Sequence, residues 1–174
     1  MIDNVEKYHS QLYIILGISC FFIFLFQKIP FFSLKIGPAT PVLLLPLVIL
    51  IGCFLKEWVG FWFGFLCGTA LDVFMADSRC FNTVAFILVG AGAGFLFHFF
   101  FNRNIKAVVL GGLLLCLAYF FSKWLVLTVF LGDSSAVKIL FKYELTSALY
   151  SALFLVPFFY YVRKLCTRYL IHNN

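Results

Sequence analysis

The sequence predicts an all-α polytopic membrane protein, with six transmembrane helices in one domain over residues 1–174. Three observations predict it. The chain is 64% hydrophobic and only 11% charged, whereas a soluble domain is about one quarter charged, so too few polar side chains exist to coat a globule. Several apolar runs approach the ~20 residues that cross a ~30 Å hydrocarbon core. Those runs are continuous and do not alternate, which is not the pattern of a membrane β-barrel.

The first span runs from Leu12 to Phe26, and Gln27, Lys28 and Pro30 end it. The acidic, mixed N-terminus before it is followed by no small-residue cleavage site, so this span is expected to be retained. Phe31–Thr40, FFSLKIGPAT, is either an interfacial or re-entrant piece or a plain connecting loop. The second span is PVLLLPLVILIGCFL, Pro41 to Leu55, where Pro41 suits a first helical turn. Pro46 either kinks it or closes that first turn. Lys56 and Glu57 form a very short connection, so the second and third spans are antiparallel neighbours.

The third span, Trp58 to Met75, carries the most informative pattern. Gly60, Gly64, Gly68 and Asp72 recur every four residues and make one helical stripe. Glycine in a helix interior costs roughly 0.5–1 kcal/mol against alanine, so three on one stripe suggest close approach of another backbone. Asp72 ends the stripe in apolar surroundings, where a carboxylate is expensive and has a partner. The plainer alternative is that the glycines only pack helices and Asp72 marks the water boundary. Trp58 and Trp62 belong near one interface.

Asn82 opens the fourth span, which reaches Phe101, and is a candidate cap for it. Within that span Gly90 and Gly94 form a second close-packing face, a natural partner for the third span. His98 near its end reads as an interfacial side chain. The fifth span runs from Ala107 to Leu131 and contains Lys123 beside Trp124. Lys123 either snorkels to the headgroups or is buried and paired. Since the third and fifth spans run the same way, Asp72 and Lys123 fall in one leaflet, and the expectation is an ion pair or shared polar network. The sixth span, Glu144 to Val162, carries Thr146, Ser147 and Ser151, whose hydroxyls bond within the helix or across to a neighbour, and Pro157 late in its length. Tyr160, Tyr161, Arg163, Lys164 and Arg168 form an aromatic and basic exit.

Charge sets orientation. Lys7, Lys56, Arg103, Lys106, Arg163, Lys164 and Arg168 fall on one side, against Lys28, Lys35, Arg79, Lys138 and Lys142 on the other, so both termini are expected in the cytoplasm. The net charge of +6 speaks also to anionic lipid, and no basic cluster interleaved with aromatics points to nucleic acid. The six cysteines form no CxxC pair, which argues against a zinc site or disulfide framework. His9, His98 and His172 are far apart in sequence, the acidic residues sit mostly at loops and ends, and no HExxH, GxSxG, P-loop or dinucleotide fingerprint occurs. No enzyme activity, metal or cofactor is expected; the assets of this chain are faces, not reactive groups.

The pattern GFWFGFLCGTALDVF, followed by a short loop and an asparagine opening a Gly-rich helix, resembles the GxxxGxxxGxxxD…N core of the rod shape-determining protein MreD family. Pro38 and Pro41 and the ending VPFFYYVRKL, Val156 to Leu165, also look like that family, over nearly the whole chain. One departure is the loop ADSRCF, where the family usually carries a glycine. The resemblance implies a non-catalytic protein of the bacterial inner membrane that binds the single-span protein MreC. Through it such a protein connects to the MreB cytoskeleton and the cell-wall synthases of the elongation machinery. The family fold is similar to the six-helix substrate-binding subunits of energy-coupling-factor vitamin transporters, which supplies an alternative function. In that alternative Asp72 is a residue of an outward pocket, and the first span needs a small-xxx-small face. LYIILGISCFFIF has Gly17, Ser19 and Cys20 but no AxxxA pair.

Overall fold

Twelve consecutive residues, LLPLVILIGCFL, have no polar face, and a helix apolar all round belongs at the centre of its neighbours. In the computed structural model this segment is the central helix: every residue of Leu44–Leu55 except Phe54 is buried. The structure describes residues 2–28, 41–74, 80–99, 104–126 and 140–171. Those residues form helices α1 (Ile2–Lys28), α2 (Leu44–Leu55), α3 (Glu57–Phe74), α4 (Phe81–Phe99), α5 (Ile105–Trp124), α6 (Leu145–Leu153) and α7 (Leu155–Cys166). Single π-helical turns, Leu140–Glu144 and Thr167–Ile171, precede α6 and follow α7. No strand occurs among the described residues. The expected interfacial or re-entrant piece Phe31–Thr40 lies outside them, as do Asp77, Arg79 and Arg103.

Four stretches are long and apolar enough to cross a membrane: Ser10–Gln27, Phe81–Phe99, Ile105–Trp124 and Leu145–Tyr169. The outer faces are apolar, as a lipid-facing surface is. On α1, Leu12, Leu16, Cys20 and Phe24 are buried at intervals of four, while Ile14, Ile18, Phe21 and Phe22 are exposed. Trp58 and Trp62 stand out from α3 on the side away from the core.

Prolines shape two helices. The second span was expected to start its helix at Pro41, but α2 begins at Leu44. Pro41–Leu43 instead makes a turn in which the Leu45 amide bonds the Val42 carbonyl at 3.1 Å. The Val42 amide is satisfied from another helix, by the fully buried Ser151 hydroxyl at 2.9 Å. Pro46 therefore occupies the first turn of α2, where its missing N–H leaves nothing unpaired, and the helix continues to Leu55. Pro157 has the opposite effect. It cannot donate to the Leu153 carbonyl, and the sixth span breaks there into α6 and α7. At the break the Phe154 amide bonds Ser151 at 3.1 Å in a tighter turn, and Phe158 resumes the helical pattern with Phe154 at 3.2 Å.

Between α2 and α3 the chain reverses at Lys56, whose φ of 92° and ψ of 167° lie in a region that glycine favours. This sharp corner packs against α4. A Cβ built on Gly94 would come within 2.5 Å of the Glu57 nitrogen and Cα.

A carboxylate clamp as the candidate functional site

The glycines of the α3 stripe and those of α4 face each other inside the chain. A Cβ on Gly60 would overlap the Gly90 carbonyl oxygen, and one on Gly90 would overlap that of Gly60. One on Gly64 would overlap the Phe86 carbonyl oxygen. One on Gly68 would lie 2.5 Å from the Thr83 Cα and 2.8 Å from the Asn82 oxygen. Each glycine thus admits the backbone of the facing helix, over about two and a half turns, and Gly90 admits the Val48 side chain of α2 as well. Gly60, Gly64, Gly68, Gly90 and Gly94 are all buried, so this face is covered by the chain itself.

Asp72 stands one turn beyond Gly68, and the start of α4 crosses there. Its Oδ1 accepts the Asn82 backbone N–H at 3.2 Å and the Asn82 side-chain amide at 2.9 Å. Its Oδ2 accepts the Thr83 backbone N–H at 2.7 Å and the Thr83 hydroxyl at 2.6 Å. A carboxylate has about four acceptor sites, and four donors meet it here. Asn82 and Thr83 are the second and third residues of α4, the positions whose N–H groups a capping side chain satisfies. The residue at the capping position is Cys80, whose carbonyl takes the first helical bond from Val84 at 3.3 Å. A thiol is a weak acceptor, and Cys80 sits at φ 61°. Asp72 supplies the missing cap from the neighbouring helix, and its charge is favourable at that positive helix end. Asn82 is therefore held inside the first turn by a cap; it is not the cap itself.

The clamp extends to a third helix. The buried Asn82 turns its amide nitrogen to Asp72, which leaves its Oδ1 to accept the Tyr119 hydroxyl of α5 at 2.7 Å. The opposite amide orientation would set a carbonyl against the carboxylate, so the network itself fixes the assignment. The Tyr119 ring is 2% exposed and meets Phe86 edge-on at 5.4 Å.

Lys123 does not fill the role expected for it. Its ammonium lies 3.2 Å from Glu144 Oε1 and 3.5 Å from Oε2, and 5.8 Å from the centre of the Phe120 ring. The expected Asp72–Lys123 pair is replaced because α5 presents Tyr119, one turn earlier, to the start of α4. Lys123 falls beyond it, against the π turn that leads into α6. Nor does Lys123 join the polar network that Asp72 does form, which runs from Asp72 through Asn82 to Tyr119. Lys123 and Glu144 keep 33% and 13% of their side-chain surface exposed.

Thr83, Tyr119 and Glu144 were not singled out from the sequence. The signal for Thr83 was its position beside Asn82 at a helix start. For Tyr119 it was a phenol inside an apolar run, which needs a partner when buried. His98 is exposed beside Phe99, near the C-terminal end of α4. Among the described residues no group of three His, Cys, Asp or Glu side chains is placed to hold a metal ion. No protein-family model, curated protein or solved structure matches the chain.

Proposed function

We propose that this chain is a non-catalytic integral membrane component of the bacterial cell-elongation complex. It controls cell shape by binding an MreC-like single-span protein, and so links MreB and the cell-wall synthases. The observation that carries this reading is the use made of Asp72. All four of its acceptor positions take donors from the start of α4, so the most unusual polar residue of the chain holds helices together. That suits a protein working through a rigid shape, and it fits poorly with Asp72 as the ligand-binding residue of a vitamin pocket. The residues engaged are also those of the GxxxGxxxGxxxD…N pattern on which the resemblance to the MreD family rests. In this reading α2 and α3 complete a six-span bundle in the inner membrane, with both termini cytoplasmic.

Co-purification from mildly solubilised membranes, with mass spectrometry of the retained proteins, tests it. A single-span coiled-coil protein together with cell-wall synthases is the expected catch. A pair of ATPases with a transmembrane coupling subunit, or a bound vitamin, would overturn the proposal in favour of a transporter subunit.

A further inference from the structure

The end of the last span carries cations that the clamp and the core do not use. Tyr160, Arg163, Lys164, Thr167 and Arg168 line one open concavity. Their spacing of three, four, seven and eight residues places them on one face, over about 12 Å at 1.5 Å per residue. Arg163, Lys164, Thr167 and Arg168 are exposed, as is Tyr160 at 59%. Among the side chains described, the ion pair found is that of Lys123 with Glu144, at the other end of the last span. The base of the face is fixed: the Arg163 guanidinium lies 5.8 Å from the centre of the fully buried Phe159 ring. Tyr161, next to Tyr160, is tied to α1 by a 2.6 Å hydrogen bond with Ser19.

Depth assigns the surroundings of this face. The apolar stretch Leu145–Tyr169 has 25 residues, about 37 Å of helix, against a hydrocarbon core of ~30 Å. About twenty residues from Leu145 reach Lys164. Arg163, Lys164, Thr167 and Arg168 therefore stand at headgroup level, with Tyr160 just beneath. Three cations and two hydroxyls at the level of lipid phosphates match a phosphodiester. Arginine adds a forked donor geometry that fits phosphate oxygens.

We propose that this face is a binding site for an anionic glycerophospholipid, its phosphate held by Arg163, Lys164 and Arg168 and its polar headgroup by Tyr160 and Thr167. The site needs only that the last span crosses a bilayer, and it stands whether or not the chain belongs to the elongation complex.

The test is binding of phosphatidylglycerol, with phosphatidylcholine as comparison, to the full chain in neutral detergent. Wild-type protein should prefer phosphatidylglycerol at least tenfold. Arg163→Gln with Arg168→Gln should lower phosphatidylglycerol affinity at least fivefold and leave phosphatidylcholine unchanged. Lys56→Gln with Lys106→Gln, which removes the same charge elsewhere, should change it less than twofold. Equal losses in the two double variants, or none in the first, would overturn the site in favour of diffuse attraction. A second measurement needs no variant. Lipid retained by wild-type protein from membranes of known composition should be enriched in anionic species, and retained lipid that mirrors the bulk membrane overturns the proposal.

Discussion

Gly64→Ala isolates the close approach of α3 and α4 by adding a single methyl group. That carbon would overlap the Phe86 carbonyl oxygen and lie 2.8 Å from its carbon and 3.1 Å from the Ile87 Cα. Carbon atoms settle at about 3.5–4.0 Å, so the backbones must part by roughly 1 Å at this turn. Two effects compete. Alanine's better helix propensity returns about 0.5–1 kcal/mol. Overpacking a tight contact costs about 1–3 kcal/mol, and this obstacle is backbone, which has no rotamer to change. The two ranges net to a loss of about 0–2.5 kcal/mol, which at about 2–4 °C per kcal/mol lowers the melting temperature by up to about 10 °C. Gly92→Ala is the control. It lies on the same α4 that Gly64 meets, and a Cβ there finds no atom within 4 Å, so only the propensity gain operates. Thermal unfolding in mild detergent, followed by tryptophan fluorescence, compares the two. If Gly64→Ala melts at or above Gly92→Ala, the close-approach explanation of the glycine stripe is wrong.

Asp72→Asn keeps the shape but replaces one acceptor oxygen by a donor, setting N–H groups against the α4 amides. Hydrogen exchange at Asn82 and Thr83 should accelerate at least tenfold, equivalent to about 1.4 kcal/mol. A double-mutant cycle on Lys123→Ala and Glu144→Ala should show coupling of about 0.5–1 kcal/mol, since the pair is partly exposed. Asp72→Asn and Lys123→Ala should instead add within about 0.5 kcal/mol, and strong coupling between them would restore the ion pair expected from sequence. Lys56→Gly should raise the melting temperature, because it removes backbone strain of about 1–3 kcal/mol at φ 92°. A fall in stability would mean that the lysine side chain matters more than the strain.

Much of the α3–α4 unit was legible because it depends on backbone geometry alone. Residues four apart share a helix face whatever surrounds them, so Gly60, Gly64, Gly68 and Asp72 could be placed on one stripe, with Gly90 and Gly94 as its counterpart. Pairings that depend on how a helix is rotated about its axis were not legible. In water a polar face fixes that rotation. On α5 both the core side and the lipid side are apolar, so nothing in the run showed that Tyr119 and not Lys123 would face α4. Glu144 is distant in sequence and sits at a helix start, where a carboxylate has an ordinary reason to be. The start of α2 was missed for a similar reason. Pro41 suits a first helical turn, but the Ser151 hydroxyl satisfies the Val42 amide from α6 and lets the helix begin later.

The glycines and the aspartate are better understood as one device than as two motifs. A helix N-terminus presents N–H groups that need acceptors, and the first choice is a side chain on the preceding residue. Here that residue is a cysteine at φ 61°, and the acceptor comes from another helix. A cap in trans works only if the two backbones are close at that level, because an aspartate side chain is short. Gly68 provides that closeness where the Thr83 Cα passes over it. Gly64 and Gly60 hold the same closeness along the next two turns, which fixes the angle at which α4 arrives. The carboxylate then locks the end of the rail with four hydrogen bonds, and Asn82 hands the connection on to Tyr119 of α5. The spacing of four from Gly68 to Asp72 follows from this geometry: the carboxylate must lie on the glycine face, one turn past the last contact.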